Sequence, residues 1–188
     1  MSIFKRLLSL AVASVMTVMV VIPSISASAS TLPEDVIGTK YEEAVELLNA
    51  LEIMVGDDNG EFRLNDNITR SEVAKIAVAI AGLTDVAEST KTTANFPDVQ
   101  SWHWANGYIN VSQAQKYVIG DDTGRFRPDD NVTYAEAVTI LMRVLGYEPA
   151  AASNGGFPTG YLVTAGSDEA VFEFVTEDPG LFWDFGMN

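Results

Sequence analysis

The chain has 188 residues, 11 Lys+Arg against 26 Asp+Glu, one His and no Cys, for a formal charge of -15. Without Cys there is no disulfide framework, thiolate metal site or Cys nucleophile, and one His excludes a multi-histidine centre. A phosphate-neutralising surplus of Lys/Arg is missing, which argues against nucleic acid as a partner. At 47% hydrophobic and 10% aromatic the chain is too apolar to stay disordered.

Residues 1–29 read as a secretory signal peptide. Lys5 and Arg6 give the positive start, Leu7 to Ile22 is nearly all apolar, and Ala27-Ser28-Ala29 is a small-x-small cleavage site after Pro23. Cleavage would leave nine Lys+Arg against 26 Asp+Glu, a formal charge of -17, and no transmembrane segment.

A repeat organises the rest of the chain. Val55–Leu83 aligns with Ile119–Tyr147 at an offset of 64 and without gaps. Gly56, Asp57, Asp58, Gly60, Phe62, Arg63, Asp66, Asn67, Thr69, Glu72, Ile76 and Gly82 are each identical to the residue 64 positions later. Composition alone would give about two such identities. Each unit reads as helix, tight loop, helix. In the first, over 32–83, Tyr41, Ala44, Val45, Leu48 and Leu51 keep helical spacing. Gly56 and Gly60 bracket a turn, and Phe62 comes next as a ring to plug the core. Thr69 and Glu72 form a capping box that opens a helix with Val73, Ile76, Ala77 and Ile80 as its apolar stripe, and Gly82 ends it.

Residues 84–95 are polar and acidic and read as a linker. The second unit, 96–149, repeats the plan: Trp104, Tyr108 and Val111 on a first helix, Gly120 and Gly124 in the turn, Thr133 and Glu136 as capping box. Ala137, Ile140, Leu141, Val144 and Leu145 make its stripe. A helical pair this small cannot bury its apolar face alone, so the units must stack. Residues 150–188 hold a small, flexible stretch, a partial third unit opening at Phe157-Pro158, and an acidic, aromatic tail from Asp168.

The Asp-rich loops fail as calcium sites. Registering Gly60 or Gly124 as the sixth position puts Val55 or Ile119 first and Asp66 or Asp130 twelfth, where the pattern needs an acidic first ligand and a terminal Glu. They are turns, and no metal or cofactor is expected. Trp102-His103-Trp104 offers indoles that could stack on sugar; core packing for Trp104 and an exposed position for His103 are the readings the residues favour. No Ser-centred elbow or distinctive acid pair suggests catalysis.

Phe96-Pro97-Asp98-Val99, Trp104-Ala105, Tyr108-Ile109, Gly120-Asp121-Asp122-Thr123-Gly124-Arg125-Phe126-Arg127-Pro128 and Ile68-Thr69-Arg70-Ser71-Glu72 resemble the diagnostic motifs of the S-layer homology (SLH) family. The resemblance covers about residues 32–165. It implies an all-α fold of helix-loop-helix repeats in a pseudo-threefold bundle, here incomplete. It implies a non-enzymatic module at the cell wall that binds secondary cell-wall polysaccharide, often pyruvylated, or a peptidoglycan-linked glycan. On this resemblance Arg70, in a helix first turn suited to a carboxylate, is the expected glycan contact, with Thr69, Glu72 and Trp104 beside it. The partner of Arg70 in the second unit is Tyr134, and Leu64 stands where the second unit has Pro128. From the residues alone, Arg70 pairs with a nearby acid such as Asp66. Two alternatives stay open: a self-assembling S-layer protein that associates with neighbouring SLH units, and the anchor of a longer surface protein or exoenzyme.

Overall fold

The structure is a computed structural model that describes residues 32–91 and 93–167. The signal peptide at 1–29 and the acidic aromatic tail at 168–188 lie outside the described residues. The described chain is helical: α1 (Glu42–Ala50), α2 (Arg70–Ile80), α3 (Thr84–Ser89), α4 (Asn106–Ala114), α5 (Tyr134–Val144), α6 (Glu148–Ser153) and α7 (Thr159–Ser167). It contains no strand among these residues, only an isolated antiparallel bridge between Thr69 and Asn131.

Both capping boxes form. Thr69 accepts from the Glu72 backbone N–H while the Glu72 carboxylate takes the Thr69 N–H at 2.7 Å, and Thr133 with Glu136 repeats this at 2.9 Å. Gly82 and Gly146 close the second helices at φ +68° and +83°. The two turns are alike as well. Asp57 Oδ1 accepts from the N–H groups of Asn59 and Glu61, and Asp121 Oδ1 from those of Thr123 and Arg125. These carboxylates are spent on their own loops, as a turn requires. A Cβ on Gly56 would stand 2.8 Å from the Gly60 carbonyl oxygen, and one on Gly120 2.8 Å from the Phe96 ring, so only glycine fits.

The first and second helices of a unit have no extended packing on each other among the described residues. The first helix of a unit seats on the second helix of the unit before it: α4 on α2, and α7 on α5. The main core comes from this exchange. Val73, Ala74 and Ala77 of α2 pack with Phe96, Val99, Ala105, Ile109, Val118, Phe126 and Ile140 of the second unit. A second cluster joins Val138 and Met142 of α5 to Ala151, Tyr161 and Ala165.

Both connecting segments carry a short helix: α3 lies within 84–95, and α6 takes in the start of the small stretch after Pro149, up to Ser153; α6 lies 64 residues after α3. Both are ordered by what crosses them. A Cβ on Gly107 would lie 2.0 Å from the Ala87 carbonyl oxygen, and one on Gly160 2.2 Å from that of Ala151. Asn106 and Asn110 then fasten the segment after α3 by donating to the Thr93 carbonyl at 2.8 and 2.6 Å. Within the segment, the Ser89 and Thr90 hydroxyls donate to the Val86 carbonyl at 2.8 and 3.0 Å, which uses part of the polar composition that suggested a linker. The buried stripes are also rotated relative to expectation. Val73, Ala74, Ala77 and Val78 are buried in α2 and Val138, Thr139, Ile140 and Met142 in α5, while Ile80 and Leu145 are exposed. The covering helix comes from the next unit and approaches from its own direction.

Candidate functional site

The start of α2 is where the first two units meet. Backbone bonds run from Arg70 N–H to the Asp130 carbonyl at 2.9 Å, from Ser71 N–H to that of Pro128 at 3.1 Å and from Val132 N–H to that of Ile68 at 2.9 Å. Arg70 is the pin of this seam. Its side chain is only 8% exposed. Nε donates to the Phe126 carbonyl at 2.6 Å, Nη1 donates to Glu136 Oε1 at 2.8 Å, and the guanidinium lies 5.1 Å from the Phe126 ring centroid. Burial pulls its pKa down against the pull of Glu136. The acid it pairs with is therefore Glu136, not Asp66.

Glu136 and Glu72 are junctions of the same kind. Burial would raise the Glu136 pKa, but the Thr133 N–H and hydroxyl, then Arg70 and Arg127, hold it below the usual carboxylate value. At Glu72 burial is likewise outweighed, by the Thr69 N–H and hydroxyl and by Arg63. Arg63 sits at φ +50°, where its backbone is held by Asp35 Oδ2 at 2.8 Å. From there Arg63 Nη2 reaches Glu72 at 2.7 Å and Nε approaches Asp57 at 3.5 Å. Arg127, at φ +59°, repeats the arrangement on Asp98, Asp121 and Glu136. In the sequence Arg63 and Arg127 stand out only as repeat identities; their place directly after the Phe of each loop was the available signal.

Beside this junction lies a groove of about 870 Å³. The first unit's loop and α2 form its walls, and Trp104 of the second unit stands at its edge. Of the four residues expected to meet a glycan, Glu72 and Trp104 line this groove; Thr69 and Arg70 do not. Trp104 departs from the core position expected of it. It precedes α4, is 51% exposed and leans over the neighbouring unit. His103, expected to be exposed, is turned inward: Nδ1 accepts the Ala105 N–H at 3.2 Å, Nε2 lies 3.6 Å from Asp129, and its ring stacks on Trp104. The groove also presents Lys75, one turn beyond Glu72, for which no ion pair within 4.0 Å exists among the described residues. Lys75 carried no sequence signal, because its counterpart 64 residues on is Thr139.

The S-layer homology domain profile matches residues 34–74 and 95–138. These are the two units whose seam Arg70 pins. The chain belongs to the S-layer homology family. Its relatives agree: it is 34% identical over 148 residues to a surface layer protein of Brevibacillus choshinensis, covering 79% of this chain and 13% of that protein. It is 37% identical over 124 residues to a middle cell wall protein of Brevibacillus brevis, covering 66% and 12%. A cellulosome-anchoring protein of Acetivibrio thermocellus is 31% identical over 90 residues, covering 48% and 20%. The chain thus spans about an eighth of the first two relatives. No solved structure matches it. Family and relatives place this SLH chain among cell-surface proteins. No helix among the described residues is long and apolar enough to cross a membrane.

Proposed function

We propose that this SLH chain is a non-catalytic anchoring module that holds its bearer on secondary cell-wall polysaccharide through the groove of the first unit. The observation that carries the reading is the half-exposed Trp104 indole at the edge of a groove lined by both apolar and polar side chains. An indole face stacks on the C–H face of a sugar ring, and carboxylates and amides around it take up hydroxyl hydrogens. Asp58, Asn59, Asp66 and Asn67 supply such acceptors along the groove. Lys75 and Arg63 are the cations that reach it, so an acidic substituent such as a pyruvyl ketal would sit beside Lys75. The acidic surplus of the chain opposes such a polymer only within about 10 Å at moderate salt.

Arg70 acts in this reading as a positioning residue. Its guanidinium is occupied by Phe126 and Glu136, and it fixes the second unit, hence Trp104, against the first. Thr69 and Glu72 hold the helix start from which the groove is built. The test is co-sedimentation of the secreted chain with wall sacculi, before and after the polysaccharide is stripped. Pelleting only with unstripped sacculi is expected; equal pelleting with both would refute the glycan as partner.

A further inference from the structure

His103 lies between the groove and the seam. It holds the turn that opens α4: its carbonyl accepts the Asn106 N–H at 3.0 Å, and its Nδ1 accepts the Ala105 N–H at 3.2 Å. Ala105 is fully buried, and its N–H has no other acceptor among the described residues. A ring nitrogen that accepts carries no hydrogen, so the hydrogen of the neutral imidazole is on Nε2. Nε2 faces Asp129 Oδ1 at 3.6 Å. Asp129 stands between Pro128 and Asp130, whose carbonyls take the Ser71 and Arg70 N–H groups across the seam. The imidazole stacks on Trp104, with ring centroids 5.8 Å apart and planes 29° from parallel. The ring that backs Trp104 is thus set by the start of α4 on one side and by the seam loop on the other.

We infer that His103 is a pH-sensitive positioning residue: its neutral ring holds the Trp104 indole at the edge of the groove, and protonation releases it. Histidine side chains change charge between about pH 5 and pH 8. A proton on Nδ1 sets donor against donor and strands the buried Ala105 N–H, so the ring turns away, and the indole stacked on it moves too. Asp129 opposes this by attracting the imidazolium; it is the one carboxylate within 4.0 Å of a ring nitrogen among the described residues. Its side chain is 87% exposed, and an ion pair that open to water is weak. The other charges around the turn are engaged. Asp130 and Glu136 lie on Arg127, and Asp98 accepts from the Phe126 and Arg127 N–H groups. Across Trp104 the groove presents Lys75 with Asp66 and Glu72, and both of these acids lie on Arg63. The switch stands on this geometry; its effect on polysaccharide rests on the glycan reading, and the test separates the two.

The first arm is an NMR titration of the free secreted chain from pH 7.5 to pH 5. It follows the His103 ring, the Ala105 amide and the Trp104 indole N–H, the last assigned by its loss in Trp104→Phe. His103 is the single His of the chain, so one transition is expected, with amide and indole moving at the midpoint of the ring. His103→Asn offers an oxygen to the N–H two residues on without titrating and should abolish both shifts. An amide and indole that stay still while the ring titrates, a ring that does not titrate in this range, or shifts that persist in His103→Asn overturn the inference. The second arm measures affinity for wall polysaccharide fragments at the two pH values. A loss of about fivefold at pH 5, the worth of about one neutral hydrogen bond, is expected, with a flat profile in His103→Asn. Equal affinity at both pH values overturns the inference and leaves the groove standing. No saturable binding at either pH strikes the glycan reading, and the free-chain titration alone then decides the inference.

Discussion

Arg70→Ala tests the seam between units most sharply. The substitution removes a buried guanidinium and leaves two groups short of a partner. The Phe126 carbonyl loses its 2.6 Å donor, and Glu136 loses the closer of its two arginines, keeping Arg127 at 3.7 Å. A buried acceptor left unsatisfied costs about 1–3 kcal/mol. Breaking a buried ion pair costs about 3–5 kcal/mol, and the Glu136 side chain is 23% exposed, so this contribution falls well below that range. The two together put the loss near about 3 kcal/mol, a large share of the 5–15 kcal/mol typical of a domain. Urea unfolding monitored by circular dichroism measures it. Glu136→Gln in the Arg70→Ala background should add less than it does alone, because the charge stranded by the first change is then gone; the cycle should give a coupling of about 1–2 kcal/mol. A loss under about 1 kcal/mol, or strict additivity, would refute a seam pinned by this pair.

The remaining predictions concern packing and pH. Gly107→Ala drives a methyl group into the Ala87 carbonyl and should destabilise by about 1–3 kcal/mol; Gly166→Ala, where a Cβ meets nothing within 4 Å, should be neutral or stabilising by up to about 1 kcal/mol, and thermal melts of the two compare them directly. Glu72, Asp98 and Glu136 are held below their usual pKa values in the fold, and Asp121 at about 2. Folding therefore favours their ionised forms, and the stability they contribute is complete above about pH 5 and is lost as pH falls through the folded-state values. The urea midpoint should fall between pH 6 and pH 3, less steeply in Glu136→Gln; a midpoint that rises on acidification would contradict this.

Much of the fold was legible because its signals are local. Thr69 with Glu72, Thr133 with Glu136, and the loops from Gly56 and Gly120 are each decided within a few residues, and the structure has them as the sequence indicates. The seating of helices was not legible. Spacing in α4 reports that one face is apolar, but not that α2 of the preceding unit covers it. Arg70 is the same case. Its partners Phe126 and Glu136 lie 56 and 66 residues away, and nothing near Arg70 announces them. Trp104 misled for a related reason: it continues the helical spacing of Tyr108 and Val111, yet the helix begins only at Asn106, so its ring is free to lean onto the other unit. Residues 84–95 read as a polar linker and 150–156 as a small, flexible stretch because their helices are short and depend on Gly107 and Gly160 for close approach.

The most direct measurement is an NMR titration of the secreted chain with purified wall polysaccharide fragments, monitoring the indole N–H signals and the Lys75 amide. Glycan binding in the first unit's groove predicts saturable shifts at Trp104 and Lys75, with little change at Lys116 in the second unit, and a Trp104→Ala variant that keeps its melting temperature but loses at least tenfold in affinity. Saturable binding that leaves Trp104 and Lys75 unmoved would contradict it.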